Sequence, residues 1–170
     1  MPYDLNRLEH ELMTGGLKAG LAWLNTRVAH RFTAVSLLKG DMLNLVELVD
    51  KHNGPATSIW RAAPLKDSFC QFSINNGMFI SDDTLEDERL QGNIYREVLR
   101  CYVGLPVHRR PGDLLGTFCH FDFEPRQVSA DEFAFLQDAV TFLSPYVTGH
   151  EERDDFHIKV SSGNSGFSPL

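Results

Sequence analysis

Four short patterns follow one another between residues 67 and 122: Asp67-Ser68-Phe69-Cys70, Asp83-x-x-x-Asp87-x-Arg89, Tyr102-x-Gly104-x-Pro106, and Gly116-Thr117-Phe118-Cys119-x-x-Asp122. The first two lie in irregular, charged sequence. The last two lie in stretches of sheet character, Val98 to Val107 and Leu114 to Phe123, joined by the turn sequence Arg109-Arg110-Pro111-Gly112-Asp113. Tyr102, Gly104 and Pro106 alternate along one strand and share a face, and Gly104 leaves room there for a ligand or a packed helix. An irregular segment laid over a rigid hairpin is where binding sites tend to be built.

Working outward, Phe32 to Leu38 is rich in residues that suit a pleated sheet, and Lys39-Gly40-Asp41 separates it from Met42 to Val49, which predicts a second hairpin. Asn53-Gly54-Pro55 stops that strand. Ala56 to Ala63 reads as a short helix or turn carrying Trp60 and Arg61, and Pro64 opens a segment expected to be helical through about Cys70. Met78-Phe79-Ile80 is a short strand ending at Ser81-Asp82-Asp83. Thr84 to Leu90 reads as a capped helical turn, with helix resuming near Tyr95.

Helices bracket these elements. Leu5, Leu8, Leu12, Leu17, Leu21, Leu24 and Val28 recur at steps of three to five and place apolar groups on one side of a helix. Gly15-Gly16 interrupts it at a cost of about 1 kcal/mol per glycine, so the segment is two short helices or one weakened helix; a continuous or kinked helix is preferred. Near the other end, Ser129-Ala130-Asp131-Glu132 has the spacing of a capping box. Behind it Phe133, Leu136, Val140, Leu143 and Val147 form one stripe and Phe135, Ala139, Phe142 and Tyr146 a second, which predicts burial on two sides. Pro145 limits how far this helix runs straight. Residues 1–150 therefore read as one domain, and 151–170, polar and glycine- and serine-rich, as a flexible tail. The expected fold is α+β: a central antiparallel sheet with the N- and C-terminal helices on one face and short helices and loops over the other.

With 170 residues, 42% hydrophobic and 23% charged, the chain can bury one sizeable core. A net charge of −7 argues against a nucleic-acid surface, the only small basic clusters being His30-Arg31 and His108-Arg109-Arg110. No apolar run reaches the roughly 20 residues that span a bilayer, and Met-Pro-Tyr-Asp lacks the order of a signal peptide. A cytoplasmic protein without membrane or nucleic-acid partners is expected. Cys70, Cys101 and Cys119 fit reduced thiols better than a disulfide framework.

The ordered series from Asp67 to Asp122 resembles the GAF domain family, over roughly Leu17 to Val147. That resemblance implies a small sensory or regulatory fold with a ligand pocket between the sheet and the middle segment. Candidate ligand contacts are Trp60, Phe69, Cys70, Phe79, Asp83, Arg89 and Tyr102. Arg89 could pair with Asp83 or Asp87, the favoured reading, or meet an anionic ligand with its planar fork. Cys70 would need a neighbouring cation or a helix start to become reactive, and reads first as a small buried thiol.

Particular GAF activities find little support. The Asn-Lys-Phe-Asp-Glu signature of cyclic-nucleotide binders is absent. Cys119-His120, the only Cys-His pair, lies in a strand rather than in the middle helix where bilin binders attach pigment. Cys101 and Cys119 also fall in strands, away from the loops that carry the thiols of free methionine sulfoxide reductases, and the Gly-Val-Cys-Gly segment is missing. No phosphate loop, nucleophile elbow or helical His-x-x-x-His pair occurs, so neither catalytic nor metal residues are assigned and no cofactor is identified. The expectation is a stand-alone regulatory domain that binds a small molecule and signals through its terminal helices, as a homodimer or to a separate signalling protein. The alternatives are a ligand-free interaction module and a thiol-dependent sulfoxide reductase.

Overall fold

The computed structural model describes residues 2–54 and 61–150. Of the short helix or turn expected over Ala56 to Ala63, residues 56–60 lie outside the described residues, as does the tail 151–170, while Ala62 and Ala63 form an edge strand instead. Helix α1 (Pro2–Thr26) leads into the hairpin β1 (Phe32–Lys39) and β2 (Met42–Asp50). A short edge strand β3 (Ala62–Pro64) precedes a single 3-10 turn, helix α2 (Cys70–Asn76) and strand β4 (Phe79–Ser81). The second hairpin, β5 (Cys101–Arg110) and β6 (Asp113–Asp122), is followed by α3 (Ala130–Ala139), a 3-10 turn (Val140–Phe142) and α4 (144–150).

The six strands form one sheet in the order β3-β2-β1-β6-β5-β4 with every neighbouring pair antiparallel, so the two long hairpins meet at its centre through β1 and β6. This is the α+β architecture read from the sequence. The terminal helices cover one face: Leu8, Leu12, Leu17, Leu21 and Leu24 of α1 pack with Leu136, Leu143 and Val147 onto Val35, Val103, Leu105 and Phe118. The other face carries a second cluster of Phe32, Ala34, Phe69, Phe79, Leu90, Tyr102 and Phe121 under the middle segment. Side-chain alternation along β5 and β6 feeds both clusters, with Tyr102 on one face and Val103 on the other.

Gly16, at φ 70°, takes a left-handed conformation and kinks α1. The kink absorbs the five-residue step from Leu12 to Leu17, so both halves of the leucine stripe reach the core. Both stripes behind Ser129 are likewise spent inside the molecule: Phe135 and Ala139 are buried, while Phe133, Phe142 and Tyr146 pack partly buried against the same cluster. The capping box is half realised. The Ser129 hydroxyl accepts from the Glu132 amide, but the Glu132 carboxylate turns to Arg27 at 2.8 Å and joins α3 to the end of α1.

Two helical expectations in the middle segment are corrected. The chain from Pro64 to Cys70 makes one 3-10 turn over Leu65–Asp67 and then an extended residue at Ser68, so α2 begins at Cys70, where a helix was expected to end. Around Tyr95 there are turns and no helix. There the Asn93 side chain accepts from the Tyr95 amide and the Thr84 hydroxyl donates to the Arg96 carbonyl, local bonds that compete with a helical ladder.

Candidate functional site

A cavity of about 100 Å³ opens between the sheet and the middle segment. The sheet supplies its floor: Ala34 and Ser36 from β1, Leu43, Leu45 and Leu48 from β2, and Tyr102, Cys119 and Phe121 from β5 and β6. Ala63 of β3 forms the rim, Ser68, Phe69 and Cys70 one wall, and Tyr95 and Leu99 the other. A bulge shapes this floor. Val35 pairs with Glu47 but Ser36 with Leu45, so Val46 is the extra residue, and Leu45 and Leu48 face the cavity although three positions apart. None of these lining residues is an aspartate, glutamate, lysine, arginine or histidine.

Cys70 is the chemical centre of the site. Its Sγ accepts hydrogen bonds from the Tyr102 hydroxyl at 3.1 Å and the Thr117 hydroxyl at 3.3 Å, and it is in hydrogen-bond contact with the Cys119 thiol. Ser73 lies 3.4 Å behind the Tyr102 hydroxyl, which makes a relay from Ser73 through Tyr102 to Cys70. The bond from Cys119, together with the hydroxyls of Thr117, Tyr102 and Ser68, outweighs burial and lowers the Cys70 thiol below its ordinary value. Cys119 moves the opposite way because it donates to Cys70 and is buried, and Tyr102 is raised by burial and by the charge on Cys70. The arrangement favours the anionic form of Cys70 over that of Cys119 or Tyr102. Cys101, by contrast, is pushed up to about 12 by burial and by Asp122. All three cysteines are free.

Gly104 owes its place to this arrangement. A Cβ there would overlap the Ser73 hydroxyl and the Tyr102 ring. The missing side chain makes room for the packed helix α2 and for Tyr102 to lie back over its own strand.

Of the residues expected to contact a ligand, Phe69, Cys70 and Tyr102 come together around the cavity. Phe79 is buried beside them, 6.0 Å from Tyr102 between ring centroids, and supports the Tyr102 ring without lining the cavity. Asp83 and Arg89 lie elsewhere, along a separate cleft outside the cavity. Asp83 is held by Arg100 at 2.8 Å. Arg89 pairs with Asp87 through two bonds, donates to the Ile80 carbonyl at 2.7 Å and covers the Phe79 ring at 4.4 Å, so it fastens the loop onto β4. Trp60 lies outside the described residues.

Asp122, which ends the last of the four patterns, is also structural. Its carboxylate receives the Arg31 amide, the Glu124 amide and the Arg126 guanidinium. Cys119 and Thr117 were not among the expected contacts. Their signal is the alternation Thr117, Cys119, Phe121 opposite Tyr102 and Gly104, legible only once the β5–β6 register is known.

No protein-family model matches the chain, and no curated protein matches it in sequence. Solved structures do resemble it in shape. The GAF domain of an Acinetobacter phosphoenolpyruvate-protein phosphotransferase superposes with TM-score 0.70 at 15% identity, covering 89% of this chain and 95% of that one. Free methionine-R-sulfoxide reductase from Neisseria meningitidis gives 0.66 at 15% identity over 88% and 89%. The chromophore-binding domain of a bacteriophytochrome from R. palustris gives 0.65 at 14% identity over 89% and 61%. The fold of this protein is the GAF fold, as the four-pattern series implied.

Proposed function

We propose that this protein is a GAF-like sensory domain whose ligand is a small, neutral, largely apolar molecule held between the sheet and the segment from Ser68 to Leu99. The observation that carries this reading is the lining of the cavity: leucine, alanine and aromatic groups, with only hydroxyls and thiols as polar contacts. An anionic ligand buried there would lose its hydration without gaining a cationic partner, a cost of several kcal/mol. A cyclic nucleotide or a free amino acid therefore fits poorly. A tetrapyrrole is far larger than about 100 Å³. The size suits a molecule of about ten non-hydrogen atoms or fewer, comparable to a benzene-sized guest in an apolar protein cavity.

Ligand binding would tie Ser68–Cys70 and Tyr95–Leu99 to the sheet floor. The same strands carry the terminal helices on their other face, so occupancy has a direct route to α1 and α3. The output then runs through those helices, to a second copy or to a separate signalling protein. Thermal melting against a panel tests the reading: small neutral aromatic and branched aliphatic compounds should raise the melting temperature by mass action, and charged ligands should not. Stabilisation by cyclic nucleotides or amino acids alone would refute it.

A further inference from the structure

Cys70 and Cys119 meet across the cavity floor in an arrangement that ligand binding does not require. Two hydroxyls point at one sulfur, at 3.1 and 3.3 Å, and a second thiol touches the same sulfur from the adjoining strand. Hydroxyls that solvate a sulfur stabilise its anion, the form that attacks electrophiles. Both residues line the cavity, so a small molecule entering it reaches them without unfolding the chain. The neighbouring thiol narrows the electrophile class. A Michael acceptor or an alkylating agent would consume Cys70 alone, whereas a peroxide leaves a sulfenic acid that an adjacent thiol can resolve.

We propose that Cys70 and Cys119 form a peroxide-responsive thiol pair, with a small organic hydroperoxide as the oxidant that the apolar cavity admits. In the first step the Cys70 thiolate attacks the terminal oxygen of the hydroperoxide. The S–O bond forms, the O–O bond breaks, and the alcohol leaves after its alkoxide takes a proton, which the hydroxyl network of Thr117 and Tyr102 can deliver. Cys70 is then a sulfenic acid, oxidised by two electrons. In the second step the Cys119 sulfur displaces that oxygen, the S–S bond forms and water leaves with the Cys119 proton. The bond would join the first residue of α2 to β6 and fasten the middle segment to the sheet. Cys101 faces burial and Asp122 instead and takes no part.

The test uses the full reduced chain, exposed in parallel to tert-butyl hydroperoxide and hydrogen peroxide near pH 7. Free thiols should fall from three to one, with loss of two hydrogens in the intact mass and a Cys70–Cys119 crosslink in the peptide map. A faster reaction with the organic peroxide identifies the apolar oxidant. Faster reaction with hydrogen peroxide overturns that assignment. Cys119→Ser should halt at a Cys70 sulfenic acid trapped by dimedone, and Cys70→Ser should abolish trapping. Tyr102→Phe, which keeps the ring, should shift the pH profile of Cys70 alkylation upward and slow it about tenfold at neutral pH. A crosslink through Cys101, oxidation of Cys70 no faster than of Cys101, or an unshifted profile in Tyr102→Phe would each overturn the proposal. Ligand-induced melting shifts on untreated reduced protein, measured separately, report on the cavity reading whatever the thiols do.

Discussion

At the residue scale, the buried polar groups on the helix-covered face set the behaviour of the molecule in acid. His30 and His120 are both fully buried, their rings 5.9 Å apart. The Thr33 hydroxyl accepts from Asn25 and lies in hydrogen-bond contact with His120 Nδ1 at 2.7 Å, leaving His120 Nε2 as the other ring nitrogen. That Nε2 and both ring nitrogens of His30 have no hydrogen-bond partner among the described residues. Burial lowers His30 to about 4, with Lys51 and Arg126 adding to the effect and Asp122 opposing it, and it lowers His120 further below its ordinary value with His30 contributing. Above the unfolded-state value near 6.5 both histidines are neutral in either state and stability does not depend on them. As pH falls below 6.5 the unfolded chain takes up protons that the folded one refuses. Stability then drops as pH falls, His120 contributing in the same direction, and His30 alone accounts for about 3 kcal/mol by pH 4. Urea denaturation across this range should show that decline, and His30→Leu should flatten it; an unchanged slope in the variant would contradict the assignment. None of this pairing is legible in the sequence, because His30 precedes one strand, His120 lies within another, and only the β1–β6 register joins them.

Between elements, two contacts decide how the layers are held. Arg27 at the end of α1 makes bidentate bonds to Glu132 of α3 and lies 3.9 Å over the Phe135 ring and 5.0 Å from Trp23. Both charged groups are mostly shielded from water, with 20% and 13% of their side chains exposed. This pair should therefore exceed the 0 to 1 kcal/mol of an exposed ion pair. We expect Arg27→Ala to cost about 2 kcal/mol in chemical denaturation and Arg27→Lys to restore only part of it, since lysine cannot reproduce the planar fork. On the opposite face, Gly104→Ala should destabilise by about 2 kcal/mol through overpacking against Ser73 and Tyr102. It should also disturb the Tyr102 bond to Cys70, visible as slower alkylation of that thiol. An alanine tolerated at full stability would show that α2 sits more loosely than its contacts indicate. At this scale the sequence was readable where periodicity is long: the leucine stripe of α1, the two hairpins and the two-sided helix behind Ser129 all stand as expected. Between Pro64 and Leu99 it was readable at the short strand of Phe79 and Ile80 and at the capped turn that ends at Leu90, and misread elsewhere. There 3-10 turns and side-chain bonds to the backbone replace periodic structure, as at Asn93 and Thr84.

For the molecule as a whole, a sheet covered by terminal helices on one face and by irregular chain on the other is the GAF fold, and the proposed ligand site is the cavity beneath the irregular chain. The four-pattern series led to that gap, yet several of its members turn out to fasten loops. Arg89 holds β4, Asp83 holds Arg100, and Asp122 gathers the turns around Arg31 and Arg126. The cavity is instead defined by a bulge at Val46, by a thiol pair on neighbouring elements and by the turn around Tyr95, none of which is local in sequence. If the terminal helices carry the signal, sedimentation velocity on ligand-free and ligand-saturated protein should differ in self-association or in binding of the output protein. Identical behaviour in both would confine the ligand's effect to the cavity. The central claim concerns the cavity's occupant, and titration calorimetry with a small neutral aromatic selected from the melting panel addresses it most directly. Wild type should bind at one site with a negative heat-capacity change, and Ala63→Phe, which fills the rim while leaving the core below it intact, should weaken binding at least about tenfold without lowering stability. Equal affinity in Ala63→Phe would contradict the account.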